Sequence, residues 1–95
     1  MPDPTVLILA SLAEGNKHGY AIMEDIEVFA GIRLGPGTLY GAICRLEERG
    51  WICAIKSKSR RVPYRITAEG SQQLKAQLAL FGQVVRAGNR RTREA

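Results

Sequence analysis

The sequence predicts a single, mainly α-helical α+β domain with three helices, a two-stranded hairpin and a longer fourth helix. Apolar residues repeat at helical spacings in successive segments, two β-prone runs flank a polar turn, and the last segment carries a heptad-like apolar stripe. At 95 residues the chain is the size of one domain, and its 45% hydrophobic content is typical of a folded protein.

The first three helices are predicted from apolar spacing and from the residues that end them. They are placed at residues 6–13, 18–30 and 37–49. The second and third repeat apolar residues at spacings of four and three: Ile22, Ile26 and Phe29, then Leu39, Ile43 and Leu46. Gly15 and Gly50 end the first and third helices, since glycine is favoured just after a helix.

The hairpin is predicted from two β-prone runs, residues 51–56 and 62–66, on either side of a polar basic turn. Pro63 has no backbone N–H to donate. We therefore expect the second strand to be short or to lie at the edge of a sheet.

The last helix is predicted over residues 67–88, with Thr67 as its N-cap. Its apolar residues are spaced four, three and four: Leu74, Leu78, Phe81 and Val85. Leu80 and Val84 lie beside them, which gives the helix more apolar surface than one small domain covers. We therefore predict that it holds a homodimer. Residues 89–95 are rich in arginine without apolar periodicity, which predicts a basic disordered tail.

This order of elements is that of a winged helix-turn-helix, assigned to residues 1–66. In that architecture the third helix enters the major groove of DNA, while the hairpin, called the wing, reaches flanking phosphates. With the apolar face of the third helix buried, the remaining face presents residues that could contact DNA: Gly37, Thr38, Tyr40 and Arg45. At Gly37 the backbone N–H groups of the first turn could approach a phosphate.

The predicted wing carries the strongest charge signal in the sequence. Its basic residues are Lys56, Lys58, Arg60 and Arg61, followed by Arg65 on the return strand. The whole chain has a net charge of +5. Neutralised phosphates supply most non-specific affinity for nucleic acids, so this cluster favours a nucleic-acid partner. The alternative is a solvated loop that binds nothing.

Three motifs resemble those of the PadR family of bacterial transcriptional regulators. They are Leu12-Ala13-Glu14-Gly15 with His18-Gly19-Tyr20, then Gly35-Pro36-Gly37-Thr38-Leu39-Tyr40 with Arg45-Leu46-Glu47, then Tyr64-Arg65-Ile66-Thr67-Ala68-Glu69-Gly70. The resemblance runs from about Leu7 to Leu80 and matches the smaller members, which lack a separate C-terminal domain. Gly41, Cys44 and Pro63 depart from the residues usual there.

The resemblance implies a sequence-specific regulator of double-stranded DNA, a homodimeric repressor on an inverted-repeat operator. A cytoplasmic location is expected from the sequence itself, which has no membrane-length apolar run, no basic leader and only two cysteines. It implies that Tyr20, Thr38, Tyr40 and Arg45 touch DNA, that the wing grips phosphates and that the last helix holds the dimer. A small-molecule effector between subunits, known in some relatives, is a further possible partner.

Several residues allow a structural and a functional interpretation. His18 is expected to cap or pack, and Trp51 to anchor the core. Tyr20 could contact a phosphate or be half-buried. Phe81 could form the dimer seam or the wall of an effector pocket. Cys44, on the exposed face of the third helix, could be a tolerated small residue or a thiol whose oxidation weakens DNA binding.

Other function classes find little support. The sequence has no Ser/His/Asp set, no metal-ligand cluster and no phosphate-binding loop, so we predict neither an enzyme nor a cofactor or metal site. The longest apolar run is too short to span a bilayer, and the start lacks a basic leader. The remaining rival is a winged-helix module that binds protein or RNA without operator specificity.

Overall fold

The computed structural model describes residues 3–94, which form four α-helices and three short β-strands. In chain order these are α1 (Pro4–Glu14), β1 (Lys17–His18), α2 (Gly19–Ala30), α3 (Pro36–Glu48), β2 (Ile52–Ala54), β3 (Pro63–Ile66) and α4 (Ala68–Glu94). Met1, Pro2 and Ala95 lie outside the described residues. The mainly helical α+β class and the winged helix-turn-helix order are confirmed.

Helix α1 lies at the centre of the domain. It packs against α2, α3, α4 and β3, and it is buried on most sides. Its buried residues are Thr5, Val6, Leu7, Ile8, Leu9, Ser11 and Leu12. It begins earlier than predicted because Pro4 suits the first helical position and Asp3 caps it. The Asp3 carboxylate accepts the Thr5 N–H at 2.9 Å, and this bond lowers the pKa of Asp3.

The sheet has three strands in the order β1-β3-β2: β2 and β3 form the predicted two-stranded wing, and β1 adds a strand that was not predicted. Strand β1 pairs antiparallel with β3 through Lys17 opposite Tyr64 and His18 opposite Pro63. Strand β1 has only two residues, which are too few to show an alternation of apolar and polar side chains, so the sequence did not predict it. Pro63 begins β3, which is short, as expected, but lies in the middle of the sheet and not at its edge. The Pro63 carbonyl accepts the Ile55 N–H at 2.8 Å.

A polar cluster fixes β1 to the helices. The Lys17 ammonium lies 3.7 Å from the Asp25 carboxylate and donates to the carbonyl of Ser11. The Ser11 hydroxyl donates to the same carboxylate at 2.7 Å. Only 15% of the Lys17 side chain is exposed, so this ion pair is screened less than a surface pair. Strand β1, α1 and α2 are thereby held in one arrangement.

Helix α4 starts against the hairpin. Thr67 is its N-cap as predicted: its hydroxyl accepts the Gly70 N–H at 3.1 Å and donates to the Gly50 carbonyl at 2.7 Å. The prediction of a disordered tail over 89–95 differs from the structure, in which residues 89–94 continue α4. Arginines are good helix formers, and Arg91 and Arg93 favourably meet the negative end of the helix dipole.

The Gly70→Ala variant is expected to be destabilised by about 2 kcal/mol. A Cβ at Gly70 would overlap the Trp51 carbonyl oxygen and lie 2.8 Å from the Trp51 carbonyl carbon. Helix α4 would therefore have to shift away from the backbone at Trp51. Urea unfolding measures this loss. The matched control is Gly88→Ala on the same helix, where a Cβ meets nothing within 4 Å. This control should increase stability, because alanine is favoured over glycine inside a helix. Equal stability of the two variants would contradict this account of α4 docking.

Candidate nucleic-acid interface

An open cleft of about 360 Å³ lies where the starts of α2 and α3 meet the wing. Its lining comprises His18, Gly19, Tyr20, Tyr40, Arg60, Arg61, Val62 and Tyr64. All three tyrosines of the chain are among these residues. Phenol hydroxyls and guanidinium groups are donors to phosphate oxygens, so the cleft suits an anionic ligand.

Helix α3 has one buried face and one exposed face. Leu39, Ala42, Ile43 and Leu46 are buried in the core. Gly37, Thr38, Tyr40 and Arg45 are exposed, as predicted for a recognition helix. Its N-cap, Gly35, provides no side-chain hydrogen bond, so the N–H groups of the first turn lack that partner. The turn is therefore suited to a phosphate.

Helix α2 brings His18 and Tyr20 to the cleft. The Nδ1 atom of His18 accepts the Ala21 N–H at 3.2 Å, which confirms the expected capping role. Tyr20 is 55% exposed and does not belong to the packed core of the domain.

The wing divides the predicted basic residues into three groups. Arg60 and Arg61 line the cleft, whereas Lys56 and Lys58 are exposed on the same loop without lining it. Two serines shape the loop, since Ser57 Oγ and Ser59 Oγ accept the backbone N–H two residues ahead. Arg65 is exposed on β3 between the more buried Tyr64 and Ile66, so it faces away from the domain core.

Tyr64 was not among the predicted site residues, yet it lines the cleft from β3 together with Tyr40 of α3. Its pKa is raised, chiefly by burial and then by the nearby Glu47 carboxylate. Tyr40 and Cys44, which also lie on α3, raise the pKa of Tyr64 by smaller amounts. Gly19, His18, Val62 and Tyr64 were missed because their place in the cleft depends on the packing of α2, β3 and the wing, which sequence periodicity does not specify.

The apolar stripe of α4 is only partly exposed. Leu78, Phe81 and Val85 are exposed, as are Leu80 and Val84. Leu74, predicted at the dimer interface, is instead 6% exposed and belongs to the core of its own chain. Leu74 lies one turn before Leu78, so the exposed part of the stripe starts at Leu78.

The other singled-out residues take structural positions. Trp51 is half-buried against the core, with the Arg49 guanidinium 5.0 Å from its ring centre, as expected for a core anchor. Cys44 is an exposed free cysteine on α3, and Cys53 is half-buried.

Within residues 3–94 no helix is both long and apolar enough to cross a membrane. In the same part of the chain, no three or more His, Cys, Asp or Glu side chains come together in a way that could hold a metal ion.

Comparison with known proteins identifies relatives of this fold. The model of the Transcriptional regulator PadR-like family matches residues 8–76. A transcriptional regulator from Clostridium thermocellum superposes with a TM-score of 0.83 at 31% identity, covering 92% of this chain and 87% of that one. A PadR family transcriptional regulator from Eggerthella lenta has a TM-score of 0.79 at 27% identity, covering 90% and 78%.

A curated relative is much longer. An uncharacterized 37.1 kDa protein in transposon TN4556 of Streptomyces fradiae is 44% identical over 72 residues, which are 76% of this chain and 21% of that protein. The chain thus spans about a fifth of the length of that relative.

Tyr64 is expected to ionise at higher pH than an ordinary tyrosine, because burial disfavours the phenolate. Since the folded chain holds this proton more tightly than the unfolded one, the associated stability is present below pH about 10 and is lost as pH rises through the raised pKa. A near-ultraviolet absorbance titration of Tyr64→Phe should lack the late-ionising component, whereas Tyr20→Phe should retain it. Persistence of that component in Tyr64→Phe would contradict the assignment.

Proposed function

The chain belongs to the PadR-like family of transcriptional regulators, which bind DNA, and from this premise we propose that it is a homodimeric, sequence-specific repressor of an inverted-repeat operator. The observation that carries the proposal is the cleft, where two wing arginines lie beside tyrosines from α2 and α3. Members of the family are transcriptional regulators rather than enzymes.

The cleft would hold the DNA backbone. Arg60 and Arg61 can each donate two parallel hydrogen bonds to phosphate oxygens, and the Tyr20 and Tyr40 hydroxyls can donate one each. Lys56 and Lys58, further along the loop, would add attraction to neighbouring phosphates. Such contacts fix the position of the protein on the duplex but carry no base information.

Helix α3 would read the bases. Thr38 and Arg45 lie on its exposed face, and an arginine that reaches a guanine edge discriminates against other bases by about 1–3 kcal/mol. Gly37 at the helix start leaves room for a phosphate near the first-turn N–H groups. In this arrangement α3 supplies specificity and the wing supplies affinity. Arg65 faces away from the core and would contact only a phosphate outside the cleft.

A second copy of the chain would cover the exposed stripe of α4. Leu78, Phe81 and Val85 repeat at coiled-coil spacing, which favours pairing with the same helix of another subunit. Residues 82–94 lack buried side chains, and a helical segment of that length is only marginally stable alone in water. A two-fold dimer would place two α3 helices in successive major grooves about 34 Å apart. Occupation of a promoter by this dimer would block transcription.

The direct test is a gel shift with duplex DNA fragments, including the region upstream of the protein's own gene, at two salt concentrations. Sequence-selective binding that weakens with salt supports the proposal. Salt-sensitive binding without sequence preference, or no binding to any duplex, would favour a module that binds protein or RNA.

Replacement of both wing arginines, Arg60→Ala with Arg61→Ala, is expected to weaken binding to all duplexes. Loss of two phosphate contacts should reduce the slope of log affinity against log salt concentration by about 2. Fluorescence anisotropy over a salt series measures both quantities.

The matched control for charge is Arg90→Ala with Arg91→Ala. It removes two arginines from α4, which has no part in the proposed phosphate contacts. This variant should nearly keep the wild-type slope. An equal reduction by both pairs would mean that net charge, and not the cleft, governs binding.

Leu78→Glu is expected to convert the dimer to monomer and to weaken operator binding. A carboxylate within an apolar seam loses hydration without gaining a partner. Because Leu78 is 51% exposed, the fold of each subunit should survive. Sedimentation velocity gives the oligomeric state. The control is Gln83→Glu, an exposed position on the same helix outside the stripe, and monomers in both variants or in neither would contradict the proposed seam.

A further inference from the structure

We propose that Gly19 is a positioning residue for DNA binding, because its lack of a side chain lets the Tyr40 ring lie against the first turn of α2. That contact fixes the Tyr40 hydroxyl at the cleft. The inference rests on the proposed function, in which Tyr40 contacts a phosphate, and it adds a residue that touches no DNA itself.

The space occupied by the Tyr40 ring is the evidence. A Cβ built on Gly19 would lie 2.7 Å from Cζ and 2.9 Å from Cε1 of Tyr40, and closer still to the hydroxyl oxygen. Side-chain carbons do not approach one another so closely. Any residue other than glycine at position 19 would displace this ring.

The backbone gives no other reason for a glycine at this position. Among the described residues, the glycines with positive φ are Gly31 and Gly50, so Gly19 has a conformation that alanine also adopts. Glycine inside a helix usually costs stability relative to alanine. Gly19 is the first residue of α2, where alanine would be tolerated if Tyr40 were absent.

The backbone around Gly19 cannot retreat from an added methyl group. His18, directly before it, caps α2 through Ala21 and pairs with Pro63 in the sheet. Gly19 itself is buried. Tyr40, in contrast, is 47% exposed and touches Gly19 with the far end of its side chain. The tyrosine ring should therefore move while the fold is kept.

The test is a double-mutant cycle on affinity for the duplex fragment that the gel shift selects, with Gly19→Ala, Tyr40→Ala and the combined variant. Loss of one hydrogen bond to a charged phosphate should weaken binding about tenfold in either single variant. The combined variant should bind no more weakly than Tyr40→Ala, since Gly19 acts through that side chain. The control is Gly15→Ala, where a Cβ meets nothing within 4 Å and wild-type affinity is expected.

Thermal unfolding of the same variants separates positioning from folding. An unchanged melting temperature in Gly19→Ala together with weaker binding supports the inference. If Gly19→Ala melts lower, the combined variant should restore the melting temperature, because Tyr40→Ala removes the clash. A melting temperature that is not restored would overturn the inference.

The remaining outcomes separate the two proposals. Additive losses, or full affinity in Gly19→Ala, would overturn the positioning role. Full affinity in Tyr40→Ala while the wing variant Arg60→Ala/Arg61→Ala binds weakly would also overturn it, yet leave the proposed function intact. Full affinity in the wing variant as well would count against the proposed DNA-binding cleft itself.

Discussion

The burial of α1 on most of its sides is the constraint on which the other surfaces depend. Ile8, Leu9 and Leu12 are almost fully enclosed, and the helix packs against α2, α3, β3 and α4. Helix α3 and helix α4, with its exposed apolar stripe, thus pack on the same central helix. Since cores have near-crystalline packing density, a shift of α4 in a dimer would have to be taken up by α1 and passed to α3. In the proposed dimer, the spacing of the two α3 helices would therefore be coupled to the geometry of the α4 seam.

Charge and packing have separate tasks in this molecule. The wing arginines are exposed and lie on a loop with two local serine hydrogen bonds, so their proposed contribution to DNA binding would be electrostatic and sensitive to salt. The tyrosines of the cleft are positioned by helix starts and by the sheet. Tyr64 connects the two tasks, because it lies on β3, close to Glu47 of α3, and lines the cleft beside Arg61. A partly buried phenol thus lies where the wing comes near α3.

Sequence patterns predicted those parts of the fold that depend on local chemistry. The second and third helices were placed within about a residue because their apolar spacing and the flanking glycines are local signals, and Thr67 was recognised as a cap for the same reason. Leu74 could not be distinguished from Leu78 by spacing, since both belong to one stripe and only the packing of the whole domain buries the first. Strand β1 and the residues of the cleft depend on contacts between distant segments, about which periodicity carries no information.

Four glycines show, at single positions, which structural roles the sequence can predict and which it cannot. Gly31 and Gly50 have positive φ, and each follows a helix, so a sequence rule finds them. Gly70 and Gly19 have ordinary backbones and are required by close neighbours, the Trp51 carbonyl in one case and the Tyr40 ring in the other. The neighbour determines the role. A backbone carbonyl cannot move, so Gly70 serves the fold. An exposed tyrosine ring can move, so the absent side chain at Gly19 serves the site that the ring helps to build.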